Sequence, residues 1–310
     1  MLWESVEPMA ALDERFGFGG FDAAADWLAR LLEATWGVAV RRCHRIVISD
    51  NNAVGWLNSD QGDLVVKWSR AHERFARLDA STQLLRKLAG LGLPVASPLA
   101  TVAGPHRVIV GGPAGLLSVS LLPELAGQWL DVSDRLAVQS AGACLAQLHR
   151  ALAAIDVPGL PMAAPTAGLQ ERIEAWLTKG DHGHAPEASR RLQSLRRLPE
   201  LDDDPQLVHN DFRAANILTQ NSTVTGVLDF DDVLVDHRVH DFAKACVYLS
   251  TRFTDWQLTP TAVRQSFRSG YESVRPFSPE ESRWLEVLVL WQGIMAVPNA
   301  KDTAAWASAL

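Results

Sequence analysis

Cysteine is scarce in this sequence, and long apolar runs are absent. Cys43, Cys144 and Cys246 are the three cysteines of the 310 residues, and no two of them have C-x-x-C spacing. Disulfide frameworks and structural zinc sites need closely patterned cysteines, so neither is predicted, and a reducing cytoplasm is expected. No stretch reaches about 18 apolar residues, and the acidic N-terminal segment lacks a signal-peptide pattern, so no membrane association is predicted.

A basic surface is also lacking. Acidic residues outnumber basic ones by 36 to 29, which gives a formal net charge of −7. Because proteins that bind nucleic acids usually carry clustered Lys and Arg, nucleic acid is not an expected partner. The acidic balance suits a cationic small molecule instead. The chain is long enough for two domains, and we expect a monomer or a homodimer.

The spacing of apolar residues changes along the chain. Up to residue 122 it predicts a small antiparallel sheet with helices, and from residue 123 helical spacing dominates. Strands are predicted at 41–49, 53–58, 63–69, 106–110 and 116–122, and helices at 22–35, 70–90, 131–154, 167–177, 186–198, 240–251, 260–273, 278–297 and 302–309. The sequence therefore predicts an α+β protein with an N-terminal lobe, 1–122, and a mainly helical C-terminal lobe, 123–310.

The segment "LVHNDFRAANILTQNSTVTGVLDFDD", residues 207–232, combines acids and amides with short apolar runs. Asp211 follows a short buried strand, Asn216 comes five residues later, and Asp229 ends the strand "TGVLDF". A hairpin turning at "QNST" brings Asn216 and Asp229 together, and their oxygens are ligands that Mg²⁺ prefers. Asp211, on the preceding loop, is placed to accept a proton from a substrate hydroxyl.

"HNDFRAAN" followed by "GVLDFDD" resembles the H-x-D-x-x-x-x-N and I-D-F/W segments of the aminoglycoside phosphotransferase family. These small-molecule kinases have a protein-kinase-like fold and include choline, homoserine and antibiotic kinases. The resemblance implies that Asp211 is the catalytic aspartate and that Asn216 and Asp229 bind magnesium. It also implies transfer of the γ-phosphoryl group of ATP or GTP to a hydroxyl. Asn210 stands where the family usually has glycine, and Asp241 matches its buried structural aspartate.

Lys67 lies within the predicted strand "DLVVKWS". Seen alone, a lysine in mid-strand is usually an exposed edge residue. The resemblance matches it with the lysine that contacts the α- and β-phosphates of the nucleotide. The family's helix after this strand usually begins with a glutamate that pairs with the lysine, but that position falls near Ser81. Glu73 and Asp79 are the nearby acids, and the partner of Lys67 is left open.

Two further segments are assigned to the nucleotide by the resemblance. "SDNN", residues 49–52, lies between the first two strands, where this fold covers the triphosphate, so Ser49 and Asn52 are phosphate-binding candidates. The segment "LLPELAGQW" resembles the linker of the family. Backbone groups of three of its residues are then expected to bind the adenine edge: Leu122, Glu124 and Leu125.

The acceptor is the least constrained part of the hypothesis. Asp231, Asp232 and Asp236 follow the metal aspartate and are expected to contact the acceptor, although a solvated acidic turn is the simpler interpretation. Arg213, two residues after Asp211, is expected to neutralise the transferring phosphoryl group. These acids favour a cationic antibiotic, either an aminoglycoside or a basic peptide, and a role in resistance. Homoserine, choline, a sugar and a macrolide remain open.

Two other functions compete with a kinase. His240 and Asp241 form an "HD" pair as in metal-dependent phosphohydrolases. Those enzymes have all-helical sites, however, and this hypothesis leaves Lys67 and the N-terminal sheet without a task. The third hypothesis is a kinase-like pseudoenzyme, which the missing helix glutamate supports. The joint presence of a base, two metal ligands and a phosphate-binding lysine favours the kinase.

Overall fold

The computed structural model describes residues 8–160, 165–179, 192, 198–201, 204–252 and 257–296. The predicted helix 302–309 and most of the predicted helix 186–198 lie outside these residues. The chain forms two compact units, Met1–Ala126 with Asp156–Leu160, and Gly127–Ile155 with Pro161–Leu310. None of the described helices is long and apolar enough to cross a membrane.

The first unit contains a five-stranded antiparallel sheet with the strand order β1-β2-β3-β5-β4. The strands are β1 (Val40–Ile48), β2 (Asn52–Ser59), β3 (Gly62–Ser69), β4 (Arg107–Gly112) and β5 (Gly115–Pro123). The predicted antiparallel N-terminal sheet is thus confirmed. Side chains alternate along β3, so that Val66 and Trp68 are buried while Lys67 points to the other face and is partly exposed.

Three helices accompany this sheet: α1 (Pro8–Phe16), α2 (Phe21–Trp36) and α3 (Phe75–Gly90). Helix α2 buries Leu28 and Leu32 in the core with the sheet, and it ends at Gly37, whose φ of 66° is left-handed. Helix α1 was not predicted. Its nine residues are too few to show a repeated helical pattern, and Phe16 becomes apolar core only when the chain folds back on the sheet.

An arginine attaches helix α3 to the sheet. Arg107 on β4 donates from Nε to the hydroxyl of Thr82 on α3 at 2.9 Å, and from Nη2 to the hydroxyl of Ser120 on β5 at 2.9 Å. Ser120 is the cross-strand partner of Lys67. Arg107 therefore supports the part of β5 that lies beside Lys67, in the region where the sequence offers no helix glutamate.

The second unit is mainly helical. Its helices are α4 (Arg135–Ala154), α5 (Leu169–Lys179), α6 (Arg238–Tyr248), α7 (Thr261–Glu272) and α8 (Pro279–Ala296). Its strands are β6 (Gln128–Trp129), β7 (Gln206–Val208), β8 (Ile217–Gln220), β9 (Thr223–Val227) and β10 (Leu234–Asp236). They form one three-stranded sheet, β6-β8-β9, and one pair, β10-β7. The two-residue strand β6 and the three-residue strand β10 were not predicted.

Two glycines allow α4 and α7 to pack in close contact. A Cβ atom on Gly142 of α4 would lie 2.0 Å from the carbonyl oxygen of Phe267, and one on Gly270 of α7 would lie 1.9 Å from that of Gln139. The backbones of the two helices thus touch where a side chain would separate them. This contact allows His149, further along α4, to reach Tyr271 on α7.

Candidate active site

The loop that follows β7 holds Asp211. Arg213 donates from Nε to the Asp211 carboxylate, at 3.0 Å to Oδ1 and 3.2 Å to Oδ2. Asn216 donates from Nδ2 to Oδ2 at 2.8 Å and to the Asp211 carbonyl oxygen at 2.8 Å. The carboxylate is therefore oriented by two side chains of its own loop, as a positioned general base requires.

The surroundings of Asp211 favour the protonated form of its carboxyl group. Burial raises the pKa of its carboxyl above the ordinary value. The positive charge of Arg213 acts in the opposite direction, and the negative charge of Asp229 adds to the rise. A higher pKa makes a carboxylate a stronger proton acceptor, which suits the predicted role of Asp211.

His209 links Asp211 to the strand that precedes Asp229. The His209 ring is buried, its Nδ1 accepts from the backbone N–H of Asp211 at 3.2 Å, and its Nε2 donates to the carbonyl oxygen of Leu228 at 3.0 Å. Asp229 follows Leu228 with a φ of 65°. Aspartate is one of the few residues that adopt this left-handed conformation, and such conformations are concentrated at functional sites.

The predicted magnesium ligands lie at one end of the β8–β9 hairpin. Ile217 pairs with Val227, and the backbone N–H of Leu228 donates to the carbonyl oxygen of Asn216 at 2.8 Å. Asn216 uses its amide nitrogen for Asp211, which leaves its amide oxygen for a cation. A carboxylate and an amide oxygen just beyond the ends of neighbouring strands are hard ligands, so these residues fit a magnesium ion that is completed by water and phosphate oxygens.

A buried chain of hydrogen bonds supports the loop that holds Asp211. Tyr271 Oη and His149 Nδ1 are 2.8 Å apart, and His149 Nε2 and Asp241 Oδ2 are 2.9 Å apart. Asp241 then accepts from the backbone N–H groups of His209 at 3.2 Å and Asn210 at 2.8 Å. A neutral His149 satisfies every bond of this chain, since it accepts from the tyrosine hydroxyl and donates to the carboxylate.

This chain of hydrogen bonds makes the stability of the protein dependent on pH. Burial lowers the pKa of His149 below its ordinary value of about 6.5, although Asp241 opposes the shift. His149 therefore binds a proton more readily in the unfolded protein than in the folded protein. The stability that depends on His149 is fully present above its ordinary pKa, and it declines as the pH falls toward the pKa of the folded state. We expect the free energy of unfolding, measured with urea, to decrease between about pH 7.5 and 5.5.

The matched variants are His149→Gln and His44→Gln. His149→Gln is expected to be less stable near neutral pH and to lose part of the pH dependence. His44 is exposed on β1, so its substitution should preserve the wild-type dependence. An unchanged slope in His149→Gln would contradict the assignment of the effect to this chain.

Helix α6 contacts the loop that holds Asp211. Lys244 donates from Nζ to the side-chain oxygen of Asn210 at 2.9 Å, and Asn210 donates from Nδ2 to the carbonyl oxygen of Asp232 at 3.2 Å. Asn210 has a φ of 68°, a conformation that asparagine tolerates better than most residues. Tyr248, one turn after Lys244, is close enough to Asp211 that burial and the charge of Asp211 both raise its pKa.

Sequence reasoning did not identify His149 or Lys244. His149 has the spacing of the buried leucines of α4, and nothing distinguishes it from a core histidine before Asp241 and Tyr271 are known to face it. Lys244 offered a clearer signal. It is a charged residue within "DFAKACVYL", a segment that is otherwise apolar after its aspartate.

Asp236 belongs to a buried ion-pair network. Its two carboxylate oxygens accept from Arg172 at 2.9 Å each, and Oδ2 is 2.8 Å from Nδ1 of His240. Burial favours the neutral acid, but the hydrogen bonds from His240 and Arg172 outweigh it, and the pKa of Asp236 lies well below its ordinary value. A carboxylate neutralised in this way orients α5 and α6 rather than attracting a cationic acceptor.

The remaining acids of this region differ in exposure and partners. Asp229 and Asp232 are exposed, and Asp231 is partly exposed. His240 contacts Asp236 and Gln292, whereas Asp241 faces the buried His149, so the "HD" pair is divided between two networks. Among the residues that the structure describes, no cluster of three or more His, Cys, Asp or Glu is arranged to hold a metal ion.

The predicted nucleotide-binding residues lie on the sheet of the first unit. Ser49 and Asn52 close the β1–β2 turn, where the N–H of Ser49 donates to the carbonyl oxygen of Asn52 at 2.8 Å. The end of β5 and the residues just after it contain Leu122, Glu124 and Leu125. The backbone N–H of Glu124 already donates to the carbonyl oxygen of Asp63. If this segment binds adenine, other backbone groups must make the contact.

The loop with Asp211, the β8–β9 hairpin and the separate antiparallel sheet define a kinase-like phosphotransferase of small molecules. Residues 45–277 match the sequence profile described as the phosphotransferase enzyme family. The chain belongs to this family.

Comparison with known proteins gives relatives of several kinds. The homoserine kinase of Gluconobacter oxydans (strain 621H) is 27% identical over 251 residues, which cover 79% of this chain and 77% of that protein. A microcompartment-associated aminopropanol kinase has a similar structure, with a TM-score of 0.61, 18% identity and coverage of 92% of this chain and 94% of the other. An amicoumacin kinase in complex with AMP-PNP, Ca²⁺ and Ami has a TM-score of 0.59, 15% identity and coverage of 91% and 90%.

These comparisons confirm the predicted family and the α+β, protein-kinase-like fold. They also confirm that the chain is an enzyme of the phosphotransferase class. The roles of the individual site residues, and those of the two halves of the chain, stay predictions.

Proposed function

We propose that this enzyme transfers the γ-phosphoryl group of ATP, or of GTP, to the hydroxyl of a small amino alcohol. The observation that carries the proposal is the position of Asp211. Its carboxylate is held at hydrogen-bond distance by Arg213 and Asn216, near the charge of Asp229. Catalysis then depends mainly on positioning and on neutralisation of charge.

Each residue of the loop has a defined task in this proposal. Asp211 orients the acceptor hydroxyl and takes its proton as the oxygen attacks the γ-phosphorus. The bond from that phosphorus to the β–γ bridging oxygen breaks, and the nucleoside diphosphate leaves. Arg213, whose Nη1 is held by the carbonyl oxygen of Arg252 at 3.2 Å, offers positive charge to the phosphoryl oxygens. His209 and Asp241 keep the loop backbone in place, which preserves the geometry between turnovers.

Four groups of residues are proposed to bind the nucleotide and its metal ion. Lys67 contacts the α- and β-phosphates as a point charge. Backbone groups of the β1–β2 turn, with Ser49 and Asn52, cover the phosphates, and backbone groups near Leu122 and Leu125 contact the base. Asn216 and Asp229 would hold magnesium, which would neutralise negative charge on the phosphates when bound. The presence of AMP-PNP and Ca²⁺ in a structurally similar kinase supports this assignment.

An amino alcohol is the acceptor class that best agrees with the relatives. A homoserine kinase is 27% identical to this chain over 251 aligned residues, and an aminopropanol kinase has the same fold. The network around Asp236 weakens the case for a polycationic acceptor, because Arg172 already neutralises that carboxylate. Asp231 and Asp232 are assigned to the single ammonium group of an amino alcohol.

The decisive experiment measures formation of phosphorylated product from ATP and magnesium with a panel of alcohols. The panel contains four alcohols: homoserine, choline, an aminoglycoside and the amino alcohol that remains when the carboxylate of homoserine is removed. We expect transfer that requires both nucleotide and magnesium, with the amino alcohols as the better acceptors. Phosphate release without nucleotide, or no transfer to any alcohol, would show that the proposal is incorrect.

A cationic antibiotic is the second candidate acceptor. The exposed carboxylate of Asp232 favours it, as does the structural similarity to an amicoumacin kinase. Preferred phosphorylation of the aminoglycoside, together with protection of a host strain that expresses the enzyme, would support this candidate over the amino alcohol.

A further inference from the structure

Helix α6 has one accessible stripe, formed by His240, Lys244 and Tyr248. These residues are partly exposed, whereas the residues between them on α6 are buried. They recur every four residues and therefore share one helix face. The stripe adjoins the catalytic loop, since Lys244 contacts Asn210 and Tyr248 lies close to Asp211. An acceptor whose hydroxyl reaches Asp211 is consequently next to this stripe.

Lys244 is the positive charge of the stripe. Its hydrogen-bond partner within the described residues is the side-chain oxygen of Asn210 at 2.9 Å, and its charge also lowers the pKa of the buried Asp241. An ammonium group has three donors, so this amide oxygen leaves donors to be satisfied by water or by a ligand. A partly buried ammonium held by a neutral amide is a suitable partner for an anionic group.

The geometry points to Lys244 as the residue that binds the carboxylate of an amino-acid acceptor. Asn210 holds the ammonium group of Lys244 in place. This inference rests on the proposed transfer to an amino alcohol and narrows it to acceptors that carry an acid group. Asn210 links Lys244 to the backbone of Asp232, because the amide that holds the lysine ammonium also donates to the carbonyl oxygen of Asp232. A zwitterion with its carboxylate toward Lys244 and its ammonium toward Asp231 and Asp232 matches this order of charges.

The test compares two acceptors that differ in one group, homoserine and the amino alcohol that lacks its carboxylate. For the wild-type enzyme, we expect a lower KM for homoserine. In Lys244→Met, which keeps the length of the side chain without its charge, we expect the KM for homoserine to rise about 10- to 100-fold, as for the loss of a charged hydrogen bond. The KM for the second alcohol and for ATP should change little.

Three further variants separate the charge from the fold. Lys244→Arg should retain part of the preference for homoserine. Asn210→Gly, which keeps the left-handed backbone but removes the amide, should reduce that preference. Lys179→Met removes the same charge from an exposed site at the end of α5 and should leave both KM values unchanged.

The outcomes for this inference differ from those for the proposed function. A wild-type enzyme that phosphorylates both alcohols equally well, or a Lys244→Met enzyme that keeps the preference for homoserine, would overturn the inference while transfer to alcohols stands. An enzyme that phosphorylates only a cationic antibiotic would also overturn it. Absence of transfer to every alcohol would remove the proposed function itself.

Discussion

Asp211→Asn is expected to reduce kcat by about 10³-fold, the size of effect associated with loss of a positioned general base. Asparagine has the shape of aspartate, so the packing of the loop is preserved. The hydrogen bonds with Arg213 and Asn216 change, because an amide group replaces the carboxylate. It cannot accept the proton of the acceptor hydroxyl. The measurement is the initial rate of phosphorylated product formation at saturating ATP, magnesium and acceptor.

Nucleotide binding distinguishes a catalytic defect from a folding defect. Lys67 and the sheet of the first unit are untouched, so the Kd for ATP, measured by calorimetry, should stay close to that of the wild type. Asp204→Asn is the matched control, because Asp204 is an exposed acid of the same unit as Asp211 and should tolerate the change. An Asp211→Asn enzyme with more than about a tenth of the wild-type kcat would argue against a role as general base.

Gly270→Ala is expected to lower the free energy of unfolding by about 3 kcal/mol or more, at the upper end of the effects of overpacking. Its Cβ would lie 1.9 Å from the backbone oxygen of Gln139, so helices α4 and α7 must move apart. The movement also separates His149 from Tyr271, and we expect activity to fall with stability. Urea unfolding followed by circular dichroism measures the first effect.

Gly90→Ala provides the control for this substitution. Gly90 ends α3, and a Cβ atom added there would have no atom within 4 Å, so alanine meets open space. Alanine also favours a helix more than glycine does, and a change within about 1 kcal/mol is expected. Equal stability of the Gly270→Ala and wild-type proteins would show that the two helices do not need the contact.

Local patterns in the sequence were sufficient for much of the fold. Alternation predicted β1, β2 and β3, and helical spacing with Gly37 predicted the end of α2. These features depend on neighbours within a few residues, so their information lies in a short stretch of chain. The pairing of Ile217 with Val227 follows from the same local pattern around a two-residue turn.

The family could also be predicted, because its pattern is contained in a single segment. Asp211, Asn216 and Asp229 lie within 19 consecutive residues, and the elements between them are short enough to have few alternative arrangements. The exposure of Asp229 and the left-handed backbone of Asn210 and Asp229 are details that the chemistry of these residue types permits without requiring.

Which acids are neutralised by a distant partner depended on the tertiary structure. Asp236 looked like a member of an acidic loop, but Arg172, 64 positions earlier, neutralises it. Asp241 meets His149 across 92 positions, and Arg107 rather than a helix glutamate ties α3 to the sheet. Such pairs form only when helices and strands have packed, because burial makes an unpaired charge costly and selects whichever partner the packing brings near.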